Sequence, residues 1–486
     1  MHASILSILP FVVIVPIALI TRQVIPGLVA GLLLGAYLLS PTWLGGIDTT
    51  LHYLYNEVTV PGNLHLIVFL WAFGALVGLM QVTGGVAGFA RMLQPRIRSE
   101  RSAFGVAWLS SLATFMAPDF RIITVAPVLR PVSDRFHISP ERLGYVIDVT
   151  ATPLIAMVPV GTAFVGYMIG LITVGLKHLG RTDPVFPFFL STIPLNFFAI
   201  AILAIGVYIS FVRVRKTKEQ KRAAQGNVDA AASLLRAAGE ADKRDVREAA
   251  QAAAEHADSG VRPDAANLIV PIAVLLVLIF FLTWWSGHFY SNNLFQILVR
   301  ADAARAMLQA ILVTLVFSVT YYAFKRQSFG RLTAGLIEGG NEMMPVIVLL
   351  VLVWAVSGTA TALGFTPYIT RTVGSALPPY LIAPGLFVIG SVISYFVGSS
   401  FGTWGILMPL GFSLAQSAHA SLPLVVGAVF ASGTLGGFAS PLSDNTVAMA
   451  TVMKLPVMSF ARSLLKTTLI AGAVATVGYA VAGFVM

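Results

Sequence analysis

Apolar runs long enough to cross a bilayer recur from end to end of this chain, and they leave few folds open to it. They lie near residues 4–21, 25–40, 63–82, 103–117, 143–176 and 185–212. They resume near 267–285, 304–324, 343–362, 380–397, 403–416, 422–436 and 464–486. A spanning helix takes about 20 apolar residues, so these runs amount to roughly 11 to 13 transmembrane helices, the shorter ones serving as half-helices. Only 11% of the 486 residues are charged, under half the share usual in a soluble domain. The expected fold class is all-α, a polytopic membrane protein whose standing partner is the lipid bilayer.

The net charge of +10 does not call for nucleic acid. Lys and Arg gather in the short loops between apolar runs, as they do in cytoplasmic loops. The absence of cysteine excludes disulfides, thiol catalysis and Cys-ligated metal centres. Residues 1–20 carry no basic leader and no A-x-A-like cleavage pattern, and read as a retained first helix rather than a signal peptide. Residues 214–266 are different: rich in Ala, Lys, Arg, Glu and Asp, and nearly free of large apolar side chains. Such a stretch has little to bury. It divides the chain into an N-terminal membrane half (1–213), a charged cytoplasmic linker (214–266) and a C-terminal membrane half (267–486).

The two halves resemble each other at a nearly constant offset. Ile67-Val68-Phe69-Leu70-Trp71-Ala72 matches Leu350-Val351-Leu352-Val353-Trp354-Ala355 at a shift of 283. Pro127 matches Pro409, Thr152 matches Thr434 and Pro159 matches Pro441, each at a shift of 282. Matches in register point to an internal repeat. The Trp71 run is followed by Arg91, Arg96, Arg98 and Arg101, whereas the Trp354 run is preceded by Lys325, Arg326 and Arg331. Basic loops at opposite ends of matched spans imply inverted repeats, which place their site near the midplane between interrupted, re-entrant helices.

The polar residues collect where such interruptions are expected. In Gly436-Gly437-Phe438-Ala439-Ser440-Pro441-Leu442-Ser443-Asp444-Asn445-Thr446, glycines and a proline accompany a carboxylate, an amide and hydroxyls. Irregular backbone at membrane depth is tolerated only inside protein or along a wet cavity. An ionisable residue there is a functional candidate by default. The first half has Pro118-Asp119-Phe120-Arg121, then Arg130, and Asp148-Val149-Thr150-Ala151-Thr152-Pro153. Asp148 and Thr152 are four apart and would share a helix face. Carboxylates with freed carbonyls suit a small hard cation. The plainer alternative pairs Asp119 with Arg121 or Arg130 in buried ion pairs. The second half adds Ser400 and Thr403, which could equally well only join helices. Glu338 and Glu342 share a face and either gate an entrance or sit at the interface.

Gly398-Ser399-Ser400-Phe401-Gly402 fits G-x-S-x-G, but that elbow needs a strand before it and a triad beyond it. No Walker A, H-E-x-x-H or dinucleotide fingerprint is present. The chain reads as a transporter, not an enzyme, with no catalytic residues and no cofactor.

Six stretches carry a resemblance to a known family. They are Thr124-Val125, Arg130-Pro131-Val132-Ser133-Asp134, Ile138-Ser139-x-Glu141-Arg142-Leu143, Tyr145-x-Ile147-Asp148-x-Thr150-Ala151-x-Pro153, Gly398-Ser399-Ser400-Phe401-Gly402-Thr403 and Ser440-Pro441-Leu442-Ser443-Asp444. In these the chain resembles the NhaC-type Na+/H+ antiporters. The resemblance implies a helical antiporter of a bacterial inner (plasma) membrane that exchanges Na+, or another monovalent cation, for H+. Asp148 and Asp444 would then hold Na+ and H+ in competition, with Asp119, Thr152, Ser400, Thr403, Ser440, Ser443 and Asn445 as supporting ligands. The family typically has paired aspartates where this chain has Pro118-Asp119, and an Asp-His pair where it has Gly437-Phe438. Fewer acids raise the alternative of a Na+- or H+-coupled carrier of a small organic acid or amino acid, with Arg121 or Arg130 binding its carboxylate. The sequence leaves a homodimer open.

Overall fold

The computed structural model describes residues 5–136, 138–212, 262–288, 301–372 and 378–486. The expected linker lies outside the described residues apart from 262–266. Among the described residues every regular element is a helix. The first half contains α1 (Leu9–Thr21), α2 (Val24–Leu39), α3 (Trp43–Thr59), α4 (Pro61–Val82), α5 (Gly85–Leu93) and α6 (Glu100–Thr114). It continues with α7 (Pro118–Phe136), α8 (Pro140–Val149), the single turn α9 (Thr152–Ile155), α10 (Ala163–His178), α11 (Val185–Thr192) and α12 (Phe197–Val207). The second half opens with α13 (Ala266–His288), α14 (Ala303–Phe324), α15 (Phe329–Glu342), α16 (Met344–Ala362) and α17 (Phe365–Thr372). It closes with α18 (Pro379–Val397), α19 (Ser400–Ser417), α20 (Leu422–Ala439), α21 (Asp444–Met453) and α22 (Val457–Val485).

Local chemistry explains the helix starts. Proline stands in the first turn of α4, α8, α16, α18 and α20, where its missing N–H costs nothing. Thr162 and Ser399 cap α10 and α19 by accepting from the Val165 and Gly402 N–H groups, each at 3.1 Å. Among the described residues seven spans are long and apolar enough to cross a membrane, or eight if the bent pair Val185–Leu195 and Phe197–Val212 is one span. Shorter apolar helices lie at Ile5–Thr21, Val24–Leu39 and Ala163–His178.

The repeat is inverted in space. At one end of the bundle, Asn267 Nδ2 donates to Thr83 O (2.7 Å), the Tyr322 hydroxyl to Asn267 O (2.5 Å), and Lys325 Nζ to Asp264 (2.5 Å). The C-terminal ends of α4 and α14 therefore meet the start of α13. From that end α15 departs, antiparallel to α4: Gly74 lies against Gly339, and Gly78 against Gly335. α15 and α16 form one continuous span, Phe329–Ala362. Thus α16, the counterpart of α4 at the 283-residue shift, runs the opposite way. The basic stretches after α4 and before α15 sit at the same end, as one cytoplasmic face requires.

The halves interlock. Helix α4 packs on α15, and its counterpart α16 packs on α3; α7 packs on α21, and its counterpart α19 on α10. Each half has two helix breaks that touch. In the first, Ala163 N–H donates to Met116 O at 3.2 Å, joining the α6–α7 break to the start of α10. In the second, Gly398, at φ +77° between α18 and α19, lies against the backbone of Leu442. A side chain there would meet that backbone, and positive φ is strained for all but glycine.

Candidate functional site

The breaks deliver the acids to one region. Asp119 lies in the first turn of α7, Asp148 near the end of α8, and Asp444 starts α21, while Glu342 ends α15. Helices α7, α8 and α21 pack on one another. Asp148 feels the charge of Asp119, which in turn feels Asp444 and Glu342. Asp119 and Asp444 keep accessible surface, whereas Asp148 is fully buried.

The buried oxygens are the informative part. Neither carboxylate oxygen of Asp148 has a hydrogen-bond partner. Thr124 Oγ1 on α7 is likewise buried and unpartnered. Asn445 Nδ2 donates to Thr152 Oγ1 at 2.8 Å, which leaves Asn445 Oδ1 buried without a donor. A buried acceptor left unsatisfied costs about 1–3 kcal/mol, and more if charged. Oxygens in that state are what a partly dehydrated cation replaces water with. Among the described residues no three acids or imidazoles gather closely enough to hold a metal by side chains alone. The buried, unpartnered oxygens are thus one carboxylate and neutral groups on α7, α8 and α21, helices that pack on one another, with Asp119 and Asp444 as further acids on two of them.

The predicted hydroxyls hold the breaks. Ser400 Oγ donates to Gly433 O (2.9 Å), Thr403 Oγ1 to Ser399 O (2.8 Å), Ser440 Oγ to Tyr395 O (2.5 Å) and Ser443 Oγ to Gly437 O (2.8 Å). Each keeps lone pairs with which to accept or ligate. Ser400 and Thr152 both flank Gly437, since a Cβ on Gly437 would lie against Ser400 Oγ and 3.3 Å from Thr152 Cγ2. The second-half break thus adjoins the Thr152–Asn445 pair. Changing Thr152 to Val keeps its volume and removes the acceptor for Asn445; we expect roughly tenfold weaker cation binding, about the worth of one hydrogen bond, read by a cation titration of transport.

The plainer alternative for one acid is not met: Asp119 does not pair with Arg121. Residues two apart on a helix do not face each other, and Arg121 instead bonds to neutral oxygens of Ala107, Ser110, Thr114 and Thr150. Ser400 follows helix Pro379–Val397, where the nucleophile elbow already set aside from the sequence needs a strand. Arg130 is half-buried further along α7. Thr124 was absent from the sequence-derived ligand set because a threonine inside an apolar helix usually bonds its own backbone. Glu342 was recognisable as a helix-face acid but its nearness to Asp119 was not.

The site exists once, not twice. At the 282-residue shift Phe401 corresponds to Asp119 and Phe430 to Asp148. Phe401 and Phe430 pack around Trp404 with Phe164 and Tyr167, at ring-centroid distances of 4.9 to 6.2 Å. One pseudo-equivalent position is acidic and the other is filled with aromatic rings.

Interlocked inverted halves with helix breaks around a buried, unpartnered carboxylate define a secondary transporter. The comparisons agree. The sequence model described as the Na+/H+ antiporter family matches residues 162–484, and the chain belongs to that family. It is 25% identical to an uncharacterised protein of Haemophilus influenzae, over 99% of this chain and 91% of that one. A malate-2H(+)/Na(+)-lactate antiporter of Bacillus subtilis is 27% identical over 32% of this chain and 34% of its own length. The Na(+)/H(+) antiporter NhaC of Alkalihalophilus pseudofirmus is 26% identical over 32% and 34% respectively. In fold the chain is similar to MtrF of Neisseria gonorrhoeae, with a TM-score of 0.59 at 11% identity, covering 93% of this chain and 86% of that one.

Proposed function

We propose that this protein exchanges Na+, or a similar monovalent cation, for H+ across a bacterial inner membrane, with Asp148 and Asp444 as the carboxylates that hold cation and proton in turn. The observation that carries this reading is the pair of unpartnered, fully buried Asp148 oxygens. A carboxylate that holds a cation or a proton, but not both, couples their movements without further machinery. Asp119, Thr124, Thr152 and Asn445 complete the oxygen set. Ser400, Thr403, Ser440 and Ser443 keep the broken helices in register around it.

A second reading, coupled transport of a small carboxylate, draws on the local likeness to the malate/lactate antiporter and on the acids this chain lacks. A side chain on Gly437 would displace the Ser400 hydroxyl, and Phe438 is fully buried against Tyr145, ring centroids 5.9 Å apart. The departure from the family's Asp-His pair is thus part of the packing. A carboxylate substrate is best held by a two-pronged guanidinium, and both terminal nitrogens of Arg121 are engaged, which leaves only its single Nε–H. This favours the cation reading.

Proteoliposomes holding a preset pH gradient test it. Addition of Na+ or Li+ should collapse the gradient, and Asp444→Asn should reduce that flux at least a hundredfold. A gradient that ignores every cation but responds to small carboxylates or amino acids would establish the second reading instead.

A further inference from the structure

Arg121 is one of the largest fully buried side chains in the protein, in a helix that lies among membrane spans. Taking a guanidinium out of water costs several kcal/mol unless its hydrogens are all bonded. Here NH1 donates to Ser110 Oγ (3.3 Å) and Thr114 Oγ1 (2.7 Å), while NH2 donates to Ala107 O (2.5 Å) and Thr150 Oγ1 (2.6 Å). Each terminal nitrogen has two hydrogens and all four are bonded, so the buried Nε–H is left without a partner but no two-pronged fork is left for a substrate carboxylate. All four acceptors are neutral.

The acceptors come from two places. Ala107, Ser110 and Thr114 line the second half of α6, and Thr150 caps the C-terminus of α8. Thr150 is two residues beyond Asp148 and adjoins Ala151, which breaks the helix at φ −91°, ψ −98°. The Thr150 hydroxyl, while accepting from Arg121, reaches back to Val146 O (2.8 Å) and Ile147 O (2.9 Å). One guanidinium on α7 therefore clamps α6 to the last turn of α8. Asp148 sits in that turn, and no side chain holds its carboxylate. Its position depends on the backbone of the turn alone.

We infer that Arg121 is the positioning residue for Asp148: through Thr150 it holds the end of α8 so that the carboxylate points at the ion, and it does not bind substrate. The inference rests on the reading of Asp148 as the ion carboxylate. It predicts that Arg121 and Thr150 act as one unit.

The test is a double-mutant cycle in proteoliposomes with Arg121→Lys, Thr150→Val and the combination, each reconstituted at matched protein density. Each single variant should raise the apparent KM for Na+ about tenfold, the worth of one charge-assisted hydrogen bond, with the maximal rate changed less than threefold. The double variant should be no worse than either single one. Independent, multiplying effects, or a wild-type KM in Thr150→Val, would overturn the inference. So would an Arg121→Lys variant that keeps its Na+ KM but loses affinity for a carboxylate. If Arg121→Lys does not yield folded protein, Thr150→Val decides alone by its KM. If wild type ignores Na+, the proposed cation exchange fails; the same four proteins are then assayed with whichever substrate drives wild-type flux. Non-additivity between the two positions still supports the clamp, and additivity still overturns it.

Discussion

Asp148→Asn is expected to abolish cation-driven proton exchange and, with it, any stabilisation of the protein by the cation. The substitution keeps the side chain's size and removes the charge. Asp148 is fully buried with both oxygens unpartnered, so nothing in the protein depends on it for a hydrogen bond. Folding should survive, and the variant should purify like the wild type. What disappears is the negative ligand. A ligand that binds only the folded state stabilises it by about 2.7 kcal/mol at a hundred times its Kd. Thermal unfolding in detergent, with Na+ raised against choline at constant ionic strength, should show this shift in wild type and no shift in Asp148→Asn. A variant that exchanges normally, or that keeps the full cation-dependent shift, would remove Asp148 from the site.

Gly339→Leu should give no folded protein at all. At the crossing of α4 and α15 the two backbones touch. A Cβ on Gly339 would lie against Gly74 O and 2.7 Å from Gly78 Cα, and one on Gly78 would lie 2.8 Å from Gly339 Cα. Gly74-x-x-x-Gly78 and Gly335-x-x-x-Gly339 form two small-residue faces that let helices approach this closely in lipid. Even modest overpacking costs about 1–3 kcal/mol, and here the obstacle is main chain, which cannot rotate away. The crossing also fixes Glu342, one turn beyond Gly339 at the end of α15. Gly330 on the same helix has open space around it. Gly330→Ala should therefore fold normally and gain about 0.5–1 kcal/mol from helix propensity. Size-exclusion profiles after detergent extraction separate the two outcomes. A monodisperse, thermally stable Gly339→Leu would show that the crossing is not tight.

Much of this architecture is written in the chain. Apolar length alone dictates helices, because in hydrocarbon each backbone N–H must be satisfied within its own segment. The matched runs around Trp71 and Trp354, with basic loops at opposite ends, determined the inverted repeat, which the antiparallel course of α4 and α16 bears out. Pro441 marked one break, since a missing N–H is a local property of residue type, whereas the positive φ of Gly398 emerges only in the fold.

The make-up of the site was decided elsewhere. Thr152 and Asn445 are hydrogen-bonded across 293 residues, and Arg121 reaches Thr150 across 29. A hydroxyl in an apolar helix reads the same in sequence whether it bonds the carbonyl four residues back, as Thr403 does, or stays unpartnered, as Thr124 does. Aspartate near arginine suggested an ion pair, yet on a helix two residues' separation turns Arg121 away from Asp119. Periodicity and composition act over a few residues, so they specify helices, breaks and direction. Which buried oxygens are left for an ion depends on every partner brought in from distant segments, and that is settled only when the two halves interlock.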